Sequence, residues 1–185
     1  MKPHVLVVLT LAPYACVASA QTPAASDPDN MTRFSLAVKI RFDNIKRDIV
    51  EAAEAVPDGE YTFRPTSQVR TFGEIIGHIA DSQNFFCGVA SGSNPEYSDP
   101  IEKTSPATKA ALVRALKESV AKCDAVYGTT NASNALAIVP AGRGDALRGM
   151  MLIDNVSHDN EHYGNIVTYM RLKGHVPPST ARGGR

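Results

Sequence analysis

The sequence predicts an all-α fold, a four-helix bundle, on three observations. Apolar residues recur at every third or fourth position in four separate stretches, each stretch is bounded by capping residues or by Pro and Gly, and no alternating β-branched run of strand length competes. The first helix covers residues 30–56, where Phe34, Val38, Ile45, Ile49, Ala52 and Val56 form the stripe and Pro57-Asp58-Gly59 stops it. The second opens on Thr71-Phe72-Gly73-Glu74, whose hydroxyl and carboxylate suit a capping box. It runs from 72 to 90 through Ile75, Ile79, Phe86 and Val89, and Ser91-Gly92-Ser93-Asn94-Pro95 ends it. Ser105-Pro106 supplies an N-cap and a first-turn proline for the third helix, which carries Leu112, Leu116, Val120, Cys123 and Tyr127. Residues 128–144 read as a connector, with Ala137-Ile138-Val139 as a candidate extended piece. Asp145 is the expected cap of the fourth helix, which ends at Lys173-Gly174 ahead of Pro177-Pro178. About 15 residues separate helices two and three, enough to recross the bundle, so a crossover and an up-down-up-down path are both open.

Composition bounds the partners. The chain has 185 residues, 43% hydrophobic and 21% charged, in the range of one soluble domain. Its 19 basic and 19 acidic side chains leave no cationic excess for a polyanion, so nucleic acid is not an expected partner. Met1-Lys2-Pro3-His4, the apolar run Val5 to Val17 and Ala18-Ser19-Ala20 have the form of a secretory signal peptide cleaved near Ala20. That run is too short for a membrane anchor, and no span is expected in the mature protein, which would be secreted or periplasmic. Removing residues 1–20 leaves 165 residues with 18 basic and 19 acidic side chains, since Lys2 is the only charge lost. The expected division is a signal peptide over 1–20, the bundle over 21–178 and a disordered tail over 179–185. Cys87 and Cys123 remain in an oxidising compartment, where they either pair or stay buried and inert.

The chemistry concentrates on the fourth helix. At about 100° per residue, Leu147, Met151, His162, Asn165, Tyr169 and Leu172 share a face with His158. Its ends are apolar, which points the face inward, while its middle holds Asp154, Asn155, His158, Glu161, His162 and Asn165. Such a cluster is costly to bury without a partner. His158 and His162, four apart, present both imidazoles from successive turns, as two helix-borne metal ligands require, although this spacing alone is equally that of ordinary core or surface histidines. His78 on the second helix faces the interior and is the third candidate ligand, or else a core histidine bonded to a carbonyl. Glu74 and Asp81 flank it. Either could orient the imidazole or approach the ion, but capping is the better reading of Glu74, and Asp81 could equally be a solvated charge. Cys87, about half a turn away from His78, and Cys123, on an apolar stripe, are not expected ligands.

Two segments carry a family resemblance. Arg70-Thr71-Phe72-Gly73-Glu74-Ile75-Ile76-Gly77-His78-Ile79-Ala80-Asp81 and Asn155-Val156-Ser157-His158-Asp159-Asn160-Glu161-His162-Tyr163-Gly164-Asn165-Ile166, with Tyr169-Met170-Arg171-Leu172-Lys173-Gly174 after them, resemble the DinB/YfiT-like superfamily. The resemblance spans nearly the whole mature chain. It implies a bundle of up-down-down-up connectivity and a divalent metal held by three histidines, here His78, His158 and His162. It also implies activities among thiol-dependent S-transferases, isomerases and metal hydrolases. The secretory leader departs from the family pattern and weakens the thiol-transfer reading, because small thiols are chiefly cytosolic.

Three neutral ligands leave positions open for water or substrate. Three imidazoles suit zinc or nickel first, then iron, copper or manganese. Glu161 and Asp154 are the candidate catalytic carboxylates, placed to accept a proton from a water that the ion would acidify. The first functional reading is a metal-dependent hydrolase or transferase acting on a small molecule. The second is a non-catalytic periplasmic stress or binding protein for a metal or small ligand. The third is a metal-free bundle whose histidines are satisfied by Asp154, Glu161 and Asn165. Arg64, Arg70, Tyr61 and Phe63, in the connector before the second helix, are candidates for a substrate rim, and His175 reads as an exposed residue past the last helix. Self-association as a homodimer is left open.

Overall fold

A computed structural model of the chain describes residues 28–104 and 107–183. Four long helices make up most of it: α1 (Pro28–Ala55), α2 (Phe72–Ser91), α3 (Lys109–Thr129) and α4 (Arg148–Leu172). A 3-10 turn at Asp58–Glu60 follows α1, a hairpin of β1 (Ile138–Ala141) and β2 (Gly144–Leu147) precedes α4, and one helical turn, α5 (Pro178–Ala181), closes the order. The expected leader and the Ser105-Pro106 cap lie outside the described residues.

Local sequence accounts for most boundaries. The Glu74 N–H donates to Thr71 Oγ1 at 3.1 Å and the Thr71 N–H to Glu74 Oε2 at 2.6 Å, completing the capping box of α2. Gly92, at φ 93°, ends that helix in the left-handed region. Thr108 caps α3 by accepting from the Ala111 N–H at 3.2 Å. Asp145 does not cap α4. It pairs with Pro140 in the hairpin, whose turn places Gly142 at φ 61°, and α4 begins only at Arg148. The extended piece expected at 137–139 is thereby part of β1, which begins at Ile138.

Cross-helix contacts set the order and direction of the helices. Gln83 meets Ser119 and Cys87 meets Cys123, so α2 and α3 run the same way. Phe42 stacks on Tyr127 while Lys109 reaches the Val56 carbonyl, so α1 opposes α3. His78 meets His158 while the Tyr169 hydroxyl reaches the Arg70 carbonyl, so α4 opposes α2. The principal packing partners of α1 and of α2 are in both cases α3 and α4, which leaves α1 and α2 diagonal. Phe42, Ile49, Ile76, Ile79, Leu116, Leu152, Ile166 and Met170 fill the centre without solvent contact beyond 2%.

The Cys87–Cys123 alternative resolves as a disulfide between α2 and α3, with Cα atoms 5.2 Å apart. Residues from 179 do not form a disordered tail as far as Gly183. Pro178 is buried, Tyr163 hydrogen-bonds Ser179, and Arg182 pairs with Asp48 and Glu51 of α1, which together fasten α5. His175 is half-buried, not exposed, because its Nε2 meets Glu60 Oε2 at 2.8 Å. Among the described residues no helix is long and apolar enough to cross a membrane.

Candidate metal centre

α2 and α4 bring the three predicted histidines together. His158 Nε2 lies 3.2 Å from His78 Nε2 and 3.1 Å from His162 Nε2, and the three rings lie within 5.0 Å of one another, centroid to centroid. His78 and His162 are 8% and 6% exposed, so these nitrogens have little water to turn to. Burial, reinforced by the neighbouring imidazoles and Arg70, pushes His158 down to about 3 and His162 down to about 4. Both rings are therefore neutral at ordinary pH.

Hydrogen bonding among the rings does not satisfy this geometry well. His158 Nε2 faces two nitrogens but offers either one proton or one lone pair, so a single well-formed hydrogen bond uses its capacity and the second contact must share it or go unmade. A cation can receive a lone pair from each ring. Four-coordinate nitrogen ligands at 2.0–2.1 Å from zinc stand about 3.3 Å apart, close to the separations found. The donor set therefore fits a divalent ion held by His78, His158 and His162.

The connector between α2 and α3 supplies a carboxylate that sequence reasoning missed. Glu102 Oε2 lies 2.9 Å from His78 Nδ1, and Arg70 Nε donates to Glu102 Oε1 at 2.7 Å. Asp99 Oδ1 and the Tyr97 hydroxyl lie 3.5 and 3.4 Å from the same His78 Nδ1. Asp81 is neither a ligand nor a solvated charge. It is buried and accepts from the backbone N–H groups of Ile101 and Glu102 at 3.0 and 2.9 Å, pinning the connector to α2. Gly77 permits the approach, since a Cβ there would stand 2.8 Å from Glu102 Cα. The one legible signal was Gly77-His78 with Asp81 a turn later, which marks a helix face closely approached by another segment.

The remaining candidates are dispersed. Glu161 is exposed beside His162 and its charge favours the protonated imidazole. Asp154 is half-buried, and among the described residues neither carboxylate hydrogen-bonds a site histidine. Glu74 is taken up by its cap, Tyr61 is buried in the core, and Leu147 and Leu172 are 38% and 60% exposed, so the ends of the His158 face are not both inward. The buried face is instead rotated toward Asn155, Asp159 and Ile166. A cleft of about 530 Å³ adjoins His162, and Arg70, Glu102, Asn165, Gln68 and Tyr169 are among its walls. Arg64 lines a separate depression next to it.

The comparisons with known proteins agree with this architecture. A family model described as the DinB superfamily matches residues 41–166. A DinB-like protein of Bacillus cereus ATCC 10987 superposes with a TM-score of 0.64 at 14% identity, over 77% of this chain and 95% of that one. A DinB-like protein of Bacillus subtilis does so with a TM-score of 0.61 at 20% identity, over 76% and 93%. At these identities the likeness concerns the fold. No curated protein matches.

Proposed function

The chain belongs to the DinB superfamily, and from that premise we propose that it is an exported metalloprotein in which His78, His158 and His162 hold one divalent ion for hydrolysis of a small molecule. The observation that carries the proposal is the convergence of three imidazole nitrogens, from two buried rings and one half-buried ring, with no fourth protein donor in their group among the described residues. Zinc and nickel suit three neutral imidazoles first, with iron, copper and manganese behind them. A divalent ion held by these three histidines would supply Lewis acidity and the activation of water.

The chain's own residues do the rest. The cleft beside His162 admits a small substrate, Arg70 and Asn165 present hydrogen-bond donors along its wall, and Ile75 gives it an apolar side. Glu161, exposed next to His162, is the better placed of the two candidate proton acceptors. Asp154, which burial makes a weaker acid than usual, is the other. Export is supported by the leader pattern and by the Cys87–Cys123 disulfide, a bond that persists in oxidising compartments. The same compartment is poor in small thiols, which favours hydrolysis over thiol transfer.

Titration of the metal-stripped protein with zinc and with nickel tests the reading. One ion per chain is expected, with uptake lost in His158→Ala and in His162→Ala. Uptake retained by both variants places the ion elsewhere. A loaded protein inactive across ester and amide substrates supports the non-catalytic binding role instead.

A further inference from the structure

Four polar side chains from outside the histidine cluster are arranged around one atom, His78 Nδ1. Glu102 Oε2 is nearest at 2.9 Å; Arg70 Nη2 and the Tyr97 hydroxyl follow at 3.4 Å, and Asp99 Oδ1 at 3.5 Å. An ionised carboxylate only accepts, so the short Glu102 contact calls for a proton on His78 Nδ1. The opposite nitrogen, Nε2, then carries a lone pair, and it is the nitrogen that faces His158. Nδ1, engaged outside the cluster, is removed from competition as a ligand.

The placement of Glu102 is built first by residues whose side chains make no hydrogen bond to the histidines, and completed by Arg70. Asp81 binds the Ile101 and Glu102 N–H groups, and Gly77 leaves room for the Glu102 backbone against α2. Arg70 then holds the carboxylate at Oε1, leaving Oε2 for the imidazole. Two interactions on two sides of one carboxylate separate a positioning role from a mere fastening of the connector, because they have opposite electrostatic consequences. The Glu102 charge makes the His78 ring a stronger donor, whereas the Arg70 charge draws on that same carboxylate and repels a cation at the cluster.

We infer that Glu102 is a positioning residue of the metal centre, fixing His78 as the Nδ1–H tautomer and raising the donor strength of its Nε2, with Arg70 restraining that effect. The inference rests on the metal reading above for its affinity consequence but not for its tautomer consequence.

The test uses the mature protein and its Glu102→Ala, Glu102→Gln and Arg70→Gln variants, with zinc affinity measured by competition with a chromophoric chelator. Imidazole nitrogen shifts of His78 are recorded by NMR on the metal-free forms. Glu102→Ala is expected to lose the Nδ1–H preference and to bind zinc about 10- to 100-fold more weakly, the usual cost of removing such a partner. Glu102→Gln, whose amide oxygen still accepts, is expected to keep the tautomer and fall between, and it covers the case in which the alanine variant fails to fold. Arg70→Gln is expected to keep the tautomer and bind zinc at least as tightly as the parent. An Arg70→Gln loss equal to that of Glu102→Ala overturns the inference in favour of fastening, and so does an unchanged tautomer in Glu102→Ala. If the parent protein takes up no zinc, the metal reading fails while the nitrogen shifts still decide the role of Glu102.

Discussion

Asp159 has no solvent contact, and burial lifts its carboxyl to about 8 from an ordinary 3.8. Its Oδ2 accepts from Gln83 at 2.9 Å, while Oδ1, like Asn155 Oδ1, has no partner among the described residues. A group raised in the fold stabilises it in protonated form, fully below about 3.8, and that contribution is lost as the pH rises through about 8. Asp159→Asn, which mimics the protonated acid, should therefore be no more stable than the parent near pH 4 and increasingly more stable toward pH 9. Urea unfolding of both proteins in chelator, at several pH values, checks this; a constant difference would show that the carboxyl does not titrate with folding. His158 and His162 act in the other direction. Their folded values of about 3 and 4 lie below the ordinary 6.5, so stability is full above 6.5 and is lost as the pH falls through those values. Protons should accordingly compete with the ion at these two rings only as the pH approaches about 4, which is measured as metal release during acid titration. The ligands themselves were legible from spacing and resemblance. Asp159 was not, because α4 is buried on two sides, against α1 and α2, and a face drawn around His158 covers only one of them.

At the scale of elements, the approach of the α2–α3 connector to α2 controls the site from outside. Gly77→Ala would press a Cβ to 2.8 Å of Glu102 Cα and 2.9 Å of its nitrogen, both backbone atoms that cannot swing aside. The connector must lift, and the Glu102–His78 contact should go with it. The expected result is a loss of zinc affinity on the scale of Glu102→Ala with α2 still folded, read by chelator competition beside helical circular dichroism. Affinity equal to the parent's would mean that the connector relaxes without moving Glu102. The start of α2 was readable because Thr71 and Glu74 form a cap from adjacent sequence alone. Glu102 was not, since it lies 24 residues from His78 and meets it only after Asp81 has turned the connector back. The start of α4 was misplaced for a related reason: Asp145 has the chemistry of a cap, but its backbone is committed to Pro140 across the hairpin.

For the whole molecule, the disulfide ties the two parallel helices whose facing side chains include Gln83 and Ser119, one layer below the histidines. It closes a loop across a sequence separation of 36 residues, for which about 2–4 kcal/mol of stability is typical. Cys87→Ala with Cys123→Ala should lower unfolding stability by about that amount and leave zinc affinity nearly unchanged, since neither cysteine touches the cluster. A collapse of zinc affinity would instead make the staple part of the site. The bundle was legible throughout in its apolar periodicity, whereas the pairing of the cysteines depended on α2 and α3 running in the same direction, which connector length leaves undecided. What the fold accomplishes with that arrangement is to carry His78 on one helix to His158 and His162 on an opposing one, with a cleft at their side. X-ray absorption of the zinc-loaded protein tests this most directly. Three imidazole nitrogens near 2.0–2.1 Å with at least one light, non-protein ligand are predicted. A sulfur ligand, or a fourth protein donor closing the coordination sphere, would contradict an open three-histidine centre.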